Sequence, residues 1–315
     1  MRFIPFGVLL LGSLLVLPVA AGEGQALLQR LVDVERTQSF EGTFVYERNG
    51  SFSTHSIWRR VGEGGALRER LLQLDGSAHE VLRINSQVQC ASGALADQLV
   101  DSQLWPARAL SPEQLSEWYE LRVLGKSRVA GRATHVLALV PRDQHRYGIE
   151  LHLDQQTGLP LKSLLVNDKG QLLERFQFTQ LQTDPPADGD LESESRCRPV
   201  RLPPVPDEIV QAWRSDWLPP GFSLSSVTQR RSPASDEPVA CQVYGDGLAR
   251  FSVFMEPLRG AVVEDLRTQL GPTVAVSRRL KTDDGDVMVT VVGEIPLGTA
   301  ERVALSMRAV PEAAR

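Results

Sequence analysis

Cysteine is scarce in this chain, three among 315 residues, and aromatic side chains make up only 6% of it. No Cys-x-x-Cys pair exists, which removes the usual frame for dithiol redox chemistry and for zinc ribbons. The five histidines, His55, His79, His135, His145 and His152, show no i, i+4 spacing around a helical glutamate, so a zinc-hydrolase site is not expected. Gly-x-Ser-x-Gly elbows and Walker phosphate loops are missing too. Basic residues number 34 against 39 acidic ones, a formal charge of -5 and the wrong sign for a nucleic-acid partner. After the N-terminal segment no apolar run approaches the roughly 20 residues that span a bilayer. Adjacent carboxylates such as Glu264-Asp265 and Asp283-Asp284 read as solvated surface rather than as an acid paired with a base. These absences argue against an enzyme, a cofactor and a bound metal.

What is present begins with an export signal. Arg2 supplies a positive start, Phe3 to Leu17 an apolar stretch, and Val19-Ala20-Ala21 the small residues of a signal-peptidase site. Cleavage leaves a chain starting at Gly22, and no cysteine at that junction offers a thiol for lipoprotein acylation. A periplasmic location is expected. The remaining length exceeds what most single cores hold, which predicts two domains. In an oxidising compartment three cysteines allow at most one intramolecular disulfide. Cys90 with Cys197 is the favoured pair because both precede the second domain, with buried unpaired thiols as the alternative.

Periodicity organises the rest. Leu27, Leu28, Leu31 and Val34 predict an amphipathic helix over Gln25 to Gln38 that covers a sheet. Asn49-Gly50 between two strand-like runs predicts a hairpin that pairs Arg48 with Ser51 and brings Phe44 opposite His55. Further strands are expected through Ser92. Ser111-Pro112-Glu113-Gln114 then starts a helix that places Leu115, Trp118 and Tyr119 on one face, and the region from Gly93 to Tyr119 reads as a helical or irregular lid. Five more strands follow from Leu121 to Leu181. So many strands with so few helices predict one sheet that curls strongly under a helical cover. From Gln182 to Ala212 prolines gather and periodicity fades, the mark of a linker over 182–212. A second unit over 213–315 carries five predicted strands and a final helix with Ala300, Val303, Ala304 and Met307 on one face.

A curled sheet with a cover leaves a groove that suits acyl chains or an amphipathic peptide. Phe44, Tyr46, Trp58, Trp105 and Trp118 are the candidates for its lining, with ordinary core as the plainer reading. Arg59, Arg60, Arg230 and Arg231, pairs able to meet phosphate or carboxylate groups, join Trp217 and Phe222 as candidates for partner binding.

Several blocks together resemble one family: Gly42-Thr-Phe-Val-Tyr46, Leu71-Leu-Gln-Leu-Asp-Gly76, Arg146-Tyr147 with Leu153-Asp154, Thr157-Gly-Leu-Pro-Leu161, Trp217-Leu-Pro-Pro-Gly-Phe222, Gly245-Asp-Gly-Leu248 and Val292-Gly-Glu-Ile-Pro296. In this order they are similar to the MucB/RseB family of periplasmic regulators of an envelope-stress sigma factor. The resemblance implies an α+β, mostly β chain. Its parts would be a signal peptide over 1–21, a LolA-like half-open β-barrel covered by helices over 22–181 that senses lipid, and a smaller α+β partner-binding domain. It also implies binding to the periplasmic domain of a membrane-spanning anti-sigma factor of the MucA/RseA kind, protection of that factor from site-1 proteolysis, release by lipopolysaccharide or another lipid, and influence on alginate production. A homo-oligomer is compatible with this reading. A LolA-type carrier of lipid or lipoprotein is the rival suggested by the same groove.

Overall fold

The computed structural model describes residues 19–76, 79–85, 87–92, 111–193, 197–199, 213–232, 238–261, 263–283 and 285–310. Residues 1–18 of the predicted signal over 1–21, and residues 93–110 of the predicted lid with Trp105, lie outside the described residues.

Helix α1 (Val19–Thr37) opens the fold, followed by β1 (Phe40–Arg48), β2 (Ser51–Val61), β3 (Leu67–Gln73), β4 (Glu80–Ile84) and β5 (Gln87–Ala91). After α2 (Pro112–Trp118) come β6 (Tyr119–Val129), β7 (Arg132–Pro141), β8 (Gly148–Asp154), β9 (Pro160–Val166), β10 (Leu172–Gln182) and the short β11 (Arg198–Pro199). All eleven strands join one sheet, ordered β11-β5-β4-β3-β2-β1-β10-β9-β8-β7-β6, with antiparallel neighbours throughout. Asn49 and Gly50 turn β1 into β2 with positive φ, and Arg48 faces Ser51 and Phe44 faces His55 as the hairpin signal requires. Ser111 caps α2 by accepting from the Gln114 N–H, with Pro112 at the first helical position. Tyr119, placed on the helix face by its spacing, instead begins β6.

The large sheet does not close; its edges are β6 and β11. It curls enough that Val129, at the end of β6, packs in one cluster with Phe44 of β1 and Phe176 and Phe178 of β10. This half-open, helix-covered form is the architecture the resemblance implies. Leu27, Leu28 and Leu31 of α1 bury against Tyr119, Leu137, Leu139, Leu151 and Leu153, while Val34 reaches the phenylalanine cluster. The helix thus covers the β6–β9 side of the inner face and leaves the β1–β4 side to the cleft described below.

The expected linker needs correction at its start. Residues 183–193 and 197–199 lie as a strap over the outer face of β2–β5 rather than as a free connector. Arg60 pairs with Asp188 at 2.6 Å, Arg70 donates to the Asp190 carbonyl at 3.1 Å, and the Ser193 hydroxyl donates to Glu80 at 3.0 Å. Leu191 of the strap is itself buried, and a Cys90–Cys197 disulfide ties its end to β5. Cys241 is a buried free thiol. Prolines signalled extended chain, and they carry no information about which surface such a chain crosses.

In the smaller unit β13 (Ser223–Arg231), β14 (Pro238–Gly245), β15 (Arg250–Pro257), β16 (Leu266–Leu270), β17 (Thr273–Thr282) and β18 (Gly285–Gly293) form a second antiparallel sheet, ordered β13-β14-β15-β18-β17-β16. β12 (Trp213–Ser215) pairs separately with β19 (Met307–Ala309). Helix α3 (Leu297–Ser306) lays Ala300, Val303 and Ala304 on a core of Val253, Val274, Val276, Val289 and Val291. No helix among the described residues is long and apolar enough to cross a membrane.

Because the disulfide closes a loop of 107 residues in sequence, replacing Cys90 and Cys197 together by serine is expected to cost about 2–4 kcal/mol. Urea unfolding of the double variant against the oxidised parent measures this; an unchanged midpoint contradicts it.

Candidate functional site

The inner face of β1–β4 holds a narrow apolar cleft, open to solvent and lined by Phe44, Ile57, Leu71, Val81 and Phe176, with Glu69 and Arg83 as its polar members. Alternation along each strand sets this lining: side chains two apart share a face. Phe44 stacks on His55 at 5.1 Å and meets Phe176 at 4.6 Å, and Phe176 meets Phe178 edge-on at 5.1 Å. Gly42 lets Phe178 in, since a Cβ there would sit 2.8 Å from that ring and 2.6 Å from the Gln180 carbonyl oxygen. Burial holds the His55 imidazole below its usual range, so it is an uncharged wall of the cluster at neutral pH.

Of the groove candidates, Phe44 and Tyr46 belong to this side, Tyr46 packing against the phenylalanine cluster. Trp58 is a correction. Ile57 faces the cleft, so its neighbour Trp58 stands on the outer face, under the Arg70 guanidinium at 4.8 Å and beside Glu41, Thr43 and Ser56. Trp118 is a second correction, lying not over the cleft but against the small unit. A Cβ on Gly221, whose φ is +81°, would approach the Trp118 indole nitrogen to 2.3 Å.

Trp118 marks the place where the two sheets meet, and a set of buried polar contacts gathers there. The Arg146 side chain is wholly buried, pairs with Asp143 at 2.9 Å and crosses to the equally buried Asp246 at 2.5 Å. It also donates to the Pro220 carbonyl. Its guanidinium lies 5.7, 5.4 and 5.1 Å from the ring centres of Trp118, Tyr119 and Phe222. The Tyr119 hydroxyl donates to Asp246 at 3.2 Å, and the Leu248 and Ala249 N–H groups complete the carboxylate's partners. Nearby, the Tyr147 hydroxyl donates to the Ile295 carbonyl at 3.1 Å, and His145 meets Thr299 at 3.1 Å and the Trp217 ring at 5.2 Å.

A second contact lies at the tip of the β1–β2 hairpin. Arg48 donates to Thr273, pairs with Glu294 of the small unit at 2.8 Å and sits 3.9 Å from Glu174 of the large sheet. The Tyr46 hydroxyl donates to Glu174 at 2.6 Å. Burial, and then the Glu294 charge, push the Glu174 carboxyl up to about 7. This contact is joined to the cleft by covalent neighbours: Tyr46 follows Phe44 by two on β1, and Glu174 precedes Phe176 by two on β10.

The partner-binding candidates separate. Arg59 is only 3% exposed, pairs with Glu69 at 2.7 Å and donates to the Glu35 carbonyl, so it ties α1 to the sheet and is not a surface residue. Phe222 is likewise core, packed on Phe251 at 5.4 Å. Trp217 is half-buried with the Arg302 guanidinium 3.9 Å from its ring centre. Arg60 holds the strap through Asp188. Arg230 is partly buried on β13 with its Nε donating to Thr228 at 3.0 Å, and Arg231 ends that strand.

Residue-level reasoning missed Arg146, Asp246, Arg48, Glu174 and Glu294. A signal existed all the same: Arg146-Tyr147, Trp217 to Phe222, Gly245 to Leu248 and Val292 to Pro296 are four of the family-like blocks, and the fold brings all four to this junction. Among the described residues no cluster of His, Cys, Asp and Glu has the arrangement of a metal site.

Models of the MucB/RseB N-terminal domain and the MucB/RseB C-terminal domain match residues 23–204 and 207–308. The sigma factor AlgU regulatory protein MucB of Pseudomonas aeruginosa is 64% identical over 308 residues, 97% of each chain. The sigma-E factor regulatory protein RseB of Escherichia coli is 27% identical over 294 residues, 90% of each. Among solved structures, the Pseudomonas aeruginosa MucA/MucB complex superposes with a TM-score of 0.81 at 63% identity, covering 92% of this chain and 99% of that one. A crystal structure of MucB gives 0.73 at 60% identity, covering 92% and 98%.

Glu174 gives this junction a testable pH dependence. The folded chain holds the Glu174 proton up to about pH 7, whereas the unfolded chain releases it in the ordinary carboxylate range. Folded protein therefore binds more protons in that window, stability falls as pH rises through it, and the loss persists above it. Glu174→Gln is expected to stabilise by roughly 2–3 kcal/mol near pH 8 and to change little near pH 4. Urea melts at both pH values decide; a variant as pH-dependent as the parent contradicts the assignment.

Proposed function

This chain belongs to the MucB/RseB family, and from that premise we propose that it is a negative regulator of an envelope-stress, sigma-E-type sigma factor. It binds the periplasmic domain of a membrane-spanning anti-sigma factor of the MucA kind and shields it from site-1 proteolysis, so that the sigma factor stays sequestered. Lipopolysaccharide or another lipid releases it, and alginate production is among the outputs. The chain acts in the periplasm after loss of its signal and carries out no catalysis. The observation that carries the reading is identity of 64% to an AlgU regulatory protein over nearly the whole chain, joined to full-length likeness to a MucB seated on MucA.

The geometry supplies a route for release. The apolar cleft of the 22–181 domain is chemically suited to acyl chains. An occupant that shifts β1 and β10 moves Tyr46 and Glu174, and with them the Arg48 contact to Thr273 and Glu294 in the partner-binding domain over 213–315. If the anti-sigma segment binds outside the cleft, a lipid expels it by favouring an arrangement that the segment binds poorly; direct competition for one surface gives the same release without rearrangement. A hundredfold loss of affinity requires about 2.7 kcal/mol, which burial of three or four methylenes at roughly 0.8 kcal/mol each supplies. The carrier reading rests on the same cleft but leaves the second domain without a task.

Calorimetric titration of residues 22–315 with the periplasmic segment of the cognate anti-sigma factor, alone and with lipopolysaccharide, separates the two. Binding that lipopolysaccharide weakens is expected. Lipid binding without affinity for the segment overturns the regulator and favours the carrier.

A further inference from the structure

Where β6, β7 and β8 turn, the chain forms a second concavity, sharing no residue with the apolar cleft or with either contact between the sheets. Its volume is about 410 Å³, and Arg128, Gly131, Arg132, Asp154, Gln155 and Gln156 line it. Its floor is fixed. Arg30 of α1 donates to the carbonyls of Gln155 and Gln156 at 3.3 and 3.1 Å and holds that turn in place.

The lining is unbalanced in charge and in hydrogen-bonding sense. Asp154 is its one carboxylate, with a side chain 1% exposed and one oxygen taken up by neighbouring donors. Its Oδ2 accepts from Arg132 at 2.8 Å, from the Thr157 N–H at 3.1 Å and from the Thr157 hydroxyl at 2.8 Å. Arg128 is exposed at the mouth, and its Nη1 reaches the Gly131 carbonyl at 3.1 Å. Among the described residues no carboxylate pairs with it. Arg132 uses its Nη2 on Asp154 and on the Gln156 side-chain oxygen at 3.2 Å, while its Nε is buried without a partner among the described residues. With that oxygen committed to Arg132, the Gln156 carboxamide nitrogen is left as a donor. The concavity therefore presents two guanidiniums against one carboxylate, which is already paired with Arg132, on a chain whose formal charge is -5.

From this the geometry points to an oxyanion site that takes a phosphate group, held between the Arg128 and Arg132 guanidiniums with the Gln156 amide as a third donor. Forked guanidinium donors match phosphate oxygens two at a time. The group is borne either by a small soluble phosphate or by a lipid headgroup, and the site stands whether or not the apolar cleft takes acyl chains.

The test uses the full exported chain and the variants Arg128→Gln and Arg132→Gln. Arg122→Gln serves as control, because Arg122 lies on the same strand paired with Glu120 at 2.6 Å. Inorganic phosphate is titrated calorimetrically, and phosphatidylcholine vesicles with and without phosphatidic acid are used in flotation. Arg128 is exposed and ties down no other element, so Arg128→Gln is expected to melt like the parent and bind about tenfold more weakly, with Arg122→Gln unchanged. Phosphate binding lost in Arg128→Gln establishes a site for the free group. Binding only to phosphatidic acid vesicles, lost in the same variant, assigns the site to a headgroup. No binding of either probe, or Arg128→Gln binding like Arg122→Gln, overturns the proposal.

Discussion

The buried ion pair of Arg146 and Asp246 sits at the centre of the contact between the two units of this chain. A guanidinium and a carboxylate without solvent contact are costly to bury, and the cost is offset only when every donor and acceptor around them is matched. Here the matching partners come from both sides. Asp143, Tyr119 and Trp118 belong to the large sheet and its helices, whereas the Pro220 carbonyl, Phe222 and the Leu248 and Ala249 N–H groups belong to the small unit. The arrangement is satisfied only when the two units meet in this one way. A hydrophobic contact of similar area would tolerate sliding; a buried charge pair does not.

That constraint gives meaning to the softer contact at the β1–β2 hairpin. Arg48 is about a third exposed and shared between Glu174 and Glu294, and pairs of this kind are worth little individually. It is also the contact joined to the apolar cleft through Tyr46 and Glu174. The two contacts thus differ in kind, one buried and fully matched, the other part-exposed and adjacent to the apolar cleft.

Much of the scaffold was legible in the sequence because its signals are local. Asn49-Gly50 specifies its hairpin, Ser111-Pro112 caps α2, and Ala300, Val303 and Ala304 mark the buried stripe of α3. Trp58 was misread although the information was present, since pairing Phe44 with His55 already puts Ile57 inward and Trp58 outward. β16 left no trace, because all five of its residues are exposed and no alternation of burial shapes its composition. The strap over 183–193 and the Arg146–Asp246 pair were illegible for another reason: each joins positions far apart in sequence, and an arginine or a proline carries no record of its distant partner. Only the family-like blocks hinted at the junction, and they did so without assigning a role to any residue.

The measurement that tests the account most directly is a double-mutant cycle on Arg146→Met and Asp246→Leu, followed by urea unfolding with separate probes in the two units. Each single change strands a buried charge, so the account predicts a loss of about 3–5 kcal/mol and division of unfolding into two transitions, with the double variant less damaged than the singles predict together. Single variants that unfold in one transition, within about 1 kcal/mol of the parent, would contradict it.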